Sequence, residues 1–378
     1  MKKKFLIVTT VPISLKFFKG QINELKQIFE VELVSSPGKN LTEICELERV
    51  VANPVTMARE ISFFKDVLSL VKLTILFINK KPYIVHGNTP KGGLLSMLAA
   101  FLTRVPIRVY YVHGLRYQGS HGIKKTILIL MERISCHLAT DIYAVSIGIK
   151  SVLSVDRITE KMIKVIGNGS VNGIDVDFFS QNHPEIRDLK GDYWLDDSNF
   201  IYGFVGRLTK DKGIHELIQA FLLVHSHRPE SRLLIVGEFE FGDPVDEVTK
   251  SIIRTNNNII HVGFQSDVRS FLRIMNVFVL PSYREGFGVS LIEAAAMNVP
   301  SIASNISGCN EIIKDGYNGI LIEPRSVPQL YDAMIKLISD GKLLSKMSLH
   351  CREHIIKKYE QKYVWRNTVN SYHNLLMI

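Results

Sequence analysis

Two carboxylates, Glu285 and Glu293, stand eight residues apart, with Gly286-Phe287-Gly288 between them. The residues before them, 277–282, form an apolar β-type run, and those after 288 have a helical period. Such a strand, glycine turn and helix let backbone N–H groups approach a ligand closely. The helix start adds free amides and the positive end of its dipole, which suit a phosphate. Glu293, further along the helix, could accept hydrogen bonds from a ribose diol. Glu285, at the lip, could meet sugar hydroxyls or a developing positive charge. A second segment, residues 203–213 (GFVGRLTKDKG), reads as a strand ending at Gly206, with Arg207 and Lys212 before the next helix. Arginine can grip a diphosphate in bidentate fashion, and lysine adds a compact charge beside it. Each segment alone has an ordinary reading, as incidental surface glutamates or solvated loop cations. Together, at strand C-termini of one domain, they favour a phosphate site.

The elements that must position these groups follow from an alternation of short β-rich runs with longer helical stretches. Strands are expected at 5–9, 31–34, 83–86, 107–112, 141–145 and 163–166, with helices at 17–29, 57–78, 90–103, 122–138 and 147–155. Residues 180–199 are polar, contain Pro and Gly and lack an apolar period, so they read as a linker. Alternation resumes with strands at 200–205, 232–236, 259–262, 277–280, 301–303 and 319–322. Helices are expected at 211–227, 244–255, 267–274, 288–297, 309–314 and 326–339, and the tail from 343 reads as helical throughout. This pattern implies an α/β protein of two doubly wound, parallel-sheet domains. Their expected bounds are 1–180 and 200–360, with 181–199 between them and 361–378 as a final helix. The cleft between two such domains is the default ligand site.

The chain has 378 residues, 46% of them hydrophobic and 22% charged, which excludes a disordered or fibrous chain. The formal net charge of +9 is unevenly placed: residues 1–190 carry 26 Lys/Arg against 16 Asp/Glu, a net of +10. Residues 67–131 hold nine basic residues and no acid. A basic half suits anionic lipid, a pyrophosphate-bearing acceptor or nucleic acid, or it is a solubility bias of the surface. No nucleic-acid-binding pattern is present, and apolar residues interleaved at 63–78 favour a membrane-surface face or a buried helix. The run 61–78 is broken by Lys65, Asp66 and Lys72, too soon for a spanning helix. The N-terminal run reads as a first buried strand rather than an export signal. The cysteines Cys45, Cys136, Cys309 and Cys351 have neither zinc nor redox spacing and read as buried free thiols. Asp175-Val-Asp177 and His225-Ser-His227 are not expected to bind metal.

As a joint pattern these motifs resemble a retaining glycosyltransferase of the GT-B fold, family 4, of the bacterial surface-polysaccharide type. The glutamate pair matches the family's element at Glu285 and Glu293, and the Gly-Arg-Lys-Gly element matches Gly206, Arg207, Lys212 and Gly213. Similar too are Ile166-Gly-Asn-Gly, Asn172-Gly-Ile-Asp-Val-Asp-Phe-Phe, Leu234-Ile-Val-Gly, His261-Val-Gly-Phe and Leu280-Pro-Ser. The resemblance implies two Rossmann-like domains facing across a cleft, with the C-terminal helix returning to the first. It implies that Gly206, Arg207 and Lys212 hold a donor diphosphate, and that amides of Gly286, Phe287, Gly288, Val289, Ser290 and Leu291 bind phosphate and sugar hydroxyls. Glu285 would contact the donor sugar and Glu293 the ribose, while the turn at 263–265 would border the base, with Phe264 its neighbour. His113, in Tyr111-Val-His-Gly-Leu-Arg, falls where the family often places a histidine facing the donor sugar. With Glu285 it is the expected catalytic pair, orienting or polarising rather than attacking.

One departure stands out. Where many members have Gly-Gly after the first strand, this chain has Thr9-Thr-Val-Pro-Ile-Ser-Leu-Lys. Ser14, Lys16, Lys19 and, further on, Arg116 are therefore expected to meet the acceptor or its pyrophosphate. The implied reaction moves a sugar from a nucleotide-diphosphate donor, a UDP-N-acetylhexosamine or other UDP-hexose, to a lipid-pyrophosphate-linked oligosaccharide of O-antigen or capsule. It would proceed by front-face attack, with no metal or other cofactor, on the inner face of the cell membrane. A GDP-sugar-dependent transferase and a sugar-nucleotide epimerase of the same fold are the alternatives.

Overall fold

A computed structural model describes residues 2–58, 60, 62–240 and 242–377. Arg59 and Ile61, within the helix expected at 57–78, lie outside the described residues. The chain divides into two compact units: Met1–Gly173 with Gln361–Ile378, and Ile174–Glu360.

Unit 1 alternates as the sequence pattern implies. Its strands are β1 (Lys3–Val8), β2 (Phe29–Ser35), β3 (Val51–Pro54), β4 (Ile84–Asn88), β5 (Ile107–Val112), β6 (Asp141–Ala144) and β7 (Ile163–Val165). Its helices are α1 (Gln21–Leu25), α2 (Lys39–Glu48), α3 (Phe63–Lys80), α4 (Pro90–Leu102), α5 (Gly122–Leu138) and α6 (Ile147–Val155). All strands run parallel in the order β3-β2-β1-β4-β5-β6-β7. Burial on both faces explains why Phe5, Leu6, Ile7 and Val8 are apolar without alternation. The strand order reverses between β1 and β4, the position at which ligands of such sheets bind, and the loops after these two strands meet where Thr10 Oγ1 lies 2.8 Å from Thr89 Oγ1.

Unit 2 repeats the plan. Its strands are β8 (Phe200–Val205), β9 (Ser231–Val236), β10 (Ile259–His261), β11 (Val277–Leu280), β12 (Ser301–Ser304) and β13 (Gly319–Ile322). Its helices are α7 (Ile214–His227), α8 (Glu247–Thr255), α9 (Arg269–Ile274), α10 (Val289–Ala296), α11 (Val327–Ser339) and α12 (Gly341–Tyr359). The parallel order is β10-β9-β8-β11-β12-β13, with its reversal between β8 and β11.

Several expectations need correction. The expected helix at 17–29 is a 3-10 turn at Pro12–Phe18 followed by the short α1, because Lys19 and Gly20 leave helical geometry. Residues 309–312 form turns and 313–314 are irregular, so the helix expected there is absent. The tail is two helices, α12 and Gln361–Asn374, broken at Glu360, where extended backbone pairs with Ile174. Neither α2 nor β3 was foreseen. The segment 181–199 is not a free linker but part of unit 2. Gln181 Nε2 donates to the Met297 carbonyl at 2.6 Å and the Arg187 amide to Ser270 Oγ at 3.0 Å. Fully buried Arg269 donates to Glu185 Oε2 at 2.9 Å and to the Phe178 carbonyl at 3.2 Å. The polar composition that suggested a linker supplies acceptors for this arginine.

Candidate active site

In unit 2 the chain leaves β8, passes Gly206 and Arg207, and closes a 3-10 turn, Lys210–Lys212, at Gly213. There φ is +69°, and a Cβ would lie 2.1 Å from the Pro281 carbonyl oxygen. Only glycine lets this turn lie on the end of β11. Lys212 Nζ thereby reaches Glu285 Oε1 at 2.5 Å, and Ser282 Oγ donates to the same oxygen at 2.9 Å. Both partners of this ion pair are largely buried. Asp211, one residue back, binds Arg284 Nη2 at 2.8 Å and accepts from Thr209 Oγ1 at 2.6 Å. Burial alone would raise the Asp211 carboxyl. The Thr209 hydroxyl and the Arg284, Lys212 and Arg207 cations outweigh it and hold the carboxyl below its ordinary range. Three cations therefore gather around one aspartate at this strand end. Half-exposed Arg207 pairs with Glu240 at 2.5 Å.

Helix α10 starts beside this cluster. In unit 2, α8, α11 and α12 begin with a side chain accepting from the helix start, from Asp246, Ser326 and Asp340, whereas α7, α9 and α10 have none, α10 beginning at Gly288. The Gly288 amide donates to the Gly308 carbonyl at 2.9 Å, that of Val289 to Phe287 and that of Leu291 to Gly288. The amides of Gly286, Phe287 and Ser290 have no acceptor among the described residues. Three of the six amides expected at a ligand are thus already engaged. The side chains of Phe287, packed on Tyr359, and of Leu291 belong to the core. Gly308 permits this close packing: with φ at +80°, its Cβ would meet the Glu285 and Gly286 backbone at 3.0 Å. Glu293 sits one turn into α10 with no partner among the described residues, and burial pushes its carboxyl up to about 7. Phe264 is 71% exposed, and its amide donates to Glu238 Oε1 at 3.2 Å.

In unit 1, His113 follows β5. Its Nε2 lies 2.8 Å from Oδ1 of buried Asn88, at the end of β4, and burial lowers its pKa to about 4, leaving it neutral. Tyr111 packs on the imidazole at 4.8 Å, Phe17 stacks at 6.1 Å and Phe18 meets it edge-on at 6.3 Å. The turn carrying Ser14 and exposed Lys16 is thus seated against His113 through its phenylalanines. Lys19 is exposed, and Arg116 lies 3.8 Å from Glu60. Of the Asp-x-Asp pair, Asp175 Oδ1 accepts from the amides of Asp177 and Phe178 and so closes its own turn. Among the described residues, no group of three or more His, Cys, Asp or Glu side chains could hold a metal ion.

Sequence reasoning missed Asp211, Arg284, Gly308, Asn88, Phe17 and Phe18. Asp211 lies inside the motif that was read for its cations. The others have no signal until the strands are paired.

Two parallel sheets, each reversing its strand order beside its first strand, have the plan of the GT-B fold, and the second carries a cluster of cations at a strand end. The family models "Glycosyltransferase Family 4" and "Glycosyl transferases group 1" match residues 22–190 and 186–354. The capsular polysaccharide biosynthesis glycosyltransferase CapM of Staphylococcus aureus is 37% identical over 376 residues, covering 99% of this chain and 98% of that one. The chain belongs to the family 4 glycosyltransferases of surface-polysaccharide type. An Escherichia coli relative, UDP-Gal:alpha-D-GlcNAc-diphosphoundecaprenol alpha-1,3-galactosyltransferase, is 28% identical over 92% of this chain and 89% of its own. The structure of Anabaena HepE in complex with UDP-glucose superposes with a TM-score of 0.82 at 18% identity, covering 98% of this chain and 99% of that one.

Proposed function

We propose that this glycosyltransferase moves a hexose or N-acetylhexosamine from a UDP donor, with retention, to a lipid-pyrophosphate-linked oligosaccharide during capsule or O-antigen assembly. The observation that carries the reading is the gathering of Arg207, Lys212 and Arg284 around Asp211, beside the unpaired amides of α10. Half-exposed Arg207 and the unpaired α10 amides are the groups that would meet a departing diphosphate without a metal ion, while the Lys212–Glu285 and Arg284–Asp211 pairs fix the surrounding charges. Glu285, held by Lys212 and Ser282, meets the sugar. Glu293, lacking a partner, takes the ribose hydroxyls. His113 faces the transferred sugar, and Ser14, Lys16, Lys19 and Arg116 meet the acceptor. The activity named for the E. coli relative, with a UDP donor and a diphosphoundecaprenol acceptor, supports the donor and acceptor classes.

The acceptor's lipid would bring the enzyme to the inner membrane face. No helix among the described residues is long and apolar enough to cross a membrane. α3 nevertheless exposes Phe64, Val71, Ile75 and Ile78, and α5 exposes Ile123, Ile127 and Leu130. Both helices pack on α4, and exposed Lys65, Lys72, Lys124 and Lys125 border the stripes. Apolar side chains ringed by lysine suit an anionic lipid surface.

A panel of nucleotide sugars, incubated with and without undecaprenyl-diphosphate-linked acceptors, tests the reaction. Acceptor-dependent release of UDP with an α-linked product is expected. Donor turnover without a glycosylated product, or release from GDP-sugars alone, would replace this reading. Flotation with anionic and neutral liposomes tests the surface: equal recovery from both would count against it, as would unchanged binding of Phe64→Asp/Ile123→Asp.

A further inference from the structure

Buried polar groups on a central strand must be paired, and the pairing here determines where one proton sits. β4 ends in His86-Gly-Asn88, and both polar residues are about 1% exposed. Asn88 Nδ2 lies 3.2 Å from the Val8 carbonyl oxygen, 3.1 Å from the His86 carbonyl oxygen and 2.8 Å from His86 Nδ1. Two of these neighbours are carbonyl oxygens, which only accept. The amide orientation is therefore fixed: reversing it would put its oxygen against both carbonyls in a buried site. Oδ1 consequently faces His113 Nε2 at 2.8 Å and can only accept there. His113 must carry its proton on Nε2. The ring is neutral, so Nδ1 keeps a bare lone pair, and Nδ1 has no partner among the described residues. The same logic runs the other way. His86 Nδ1 accepts from Asn88, so its proton is on Nε2, which lies 2.6 Å from the Tyr372 hydroxyl of the C-terminal helix. The heavy-atom pattern thus sets one proton arrangement along Tyr372, His86, Asn88 and His113.

We propose that Asn88 is a positioning residue that holds His113 in the Nε2–H tautomer, so that Nδ1 accepts a hydrogen bond from a hydroxyl of the transferred sugar. This rests on the reading that His113 faces that sugar. A histidine with the opposite tautomer would present an N–H to the hydroxyl and leave Asn88 Oδ1 opposite a lone pair. Asn88 needs no contact with substrate to matter, because it decides which kind of hydrogen bond His113 can offer.

The tautomer is read directly from two-bond proton–nitrogen correlation spectra of protein labelled with nitrogen-15 histidine. The His113 signals are identified by their loss in His113→Asn. Near neutral pH, the expected pattern is a protonated Nε2 and a bare Nδ1. A protonated Nδ1 would overturn the proposal whatever the enzyme transfers. Asn88→Ala should show mixed tautomers at His113, with kcat lower by about 10- to 100-fold and donor KM nearly unchanged. If Asn88→Ala does not fold, Asn88→Ser serves, since it also takes Oδ1 away from His113 Nε2 but sets no carboxylate against the Val8 and His86 carbonyls. Mixed tautomers and a comparable fall in kcat are expected. Full activity in a variant whose His113 tautomers are mixed would overturn the proposal. If His113→Ala abolishes transfer while Asn88→Ala leaves it untouched, the proposal fails and the reading of His113 stands. If both variants transfer normally, both fail.

Discussion

Glu293 is an acid with no partner among the described residues, and its protonation is the quantity a ligand would change. Burial raises its carboxyl from the ordinary 4.5 to about 7. Ribose hydroxyls donate to an ionised carboxylate, so donor binding should require loss of this proton. Affinity for UDP-glucose, whose diphosphate diester does not titrate in this range, is expected to weaken as pH falls below about 7, by up to roughly tenfold per unit. Calorimetry in buffers of different ionisation heat should show proton release on binding, and Glu293→Gln should flatten the profile; a pH-independent affinity would refute the assignment. For folding, the sign is opposite to that of a paired carboxylate. The raised value means no cost below about 4.5, a penalty that grows up to about 7 and is full above it. Glu293→Gln should therefore raise Tm at pH 8 and not at pH 4. The Lys212–Glu285 pair behaves differently. Lys212→Met leaves a buried carboxylate uncompensated and should cost about 3 kcal/mol. Adding Glu285→Gln should recover most of that in urea unfolding without restoring transfer; a double variant no more stable than Lys212→Met would show that the pair is not coupled.

At the scale of elements, the turn between β8 and α7 is held against β11 by a missing side chain. Gly213→Ala would place its Cβ 2.1 Å from the Pro281 carbonyl oxygen at a left-handed φ, so the turn must lift and take Lys212 from Glu285. Loss of donor affinity by tenfold or more is expected, together with destabilisation of more than about 1 kcal/mol. Gly191→Ala, where a Cβ meets nothing within 4 Å, is the neutral control. Equal behaviour of the two variants would remove the turn from the argument. This turn was legible in the sequence, as were the α10 start and most strands, because local glycine, charge and periodicity specify them. Residues 181–199 misled because a polar segment looks the same whether water or a buried arginine satisfies it. Asn88 was invisible for a related reason. Within Ile84-Val-His-Gly-Asn nothing marks one polar residue as the pivot of a network whose other members come from β1, the loop after β5 and the final helix. In α3 the period fits two apolar stripes: Leu73 and Phe77 face inward and Ile75 and Ile78 outward, so periodicity alone could not say which was core.

At the scale of the molecule, the chain completes unit 1 only with its last residues. Gln361–Asn374 buries Val364, Thr368 and Tyr372 within that unit. The Tyr372 ring lies 5.5 Å from Phe5 and 5.7 Å from Tyr143, and Trp365 Nε1 donates to Asn172 Oδ1 at 2.6 Å. Unit 2 is continuous from Ile174 to Glu360 and holds its own core. Stopping the chain after Glu360 should therefore uncover the aromatic surface of β1, β4 and β6 and leave His86 Nε2–H without its acceptor. Burying each of the larger apolar side chains contributes about 1.5–3 kcal/mol, so the loss approaches the whole stability of an ordinary domain. Unit 1 of the truncated chain should melt early or fail to fold, while unit 2 still binds UDP. Calorimetric scans with and without UDP separate the two: a low-temperature transition blind to UDP and a higher one raised by it are expected. The milder variant Tyr372→Phe removes only the hydroxyl and should lower unit 1 by about 1–3 kcal/mol, the cost of one unsatisfied buried donor. A single transition, unshifted in both variants, would mean that the final helix is an accessory to unit 1 rather than part of its core.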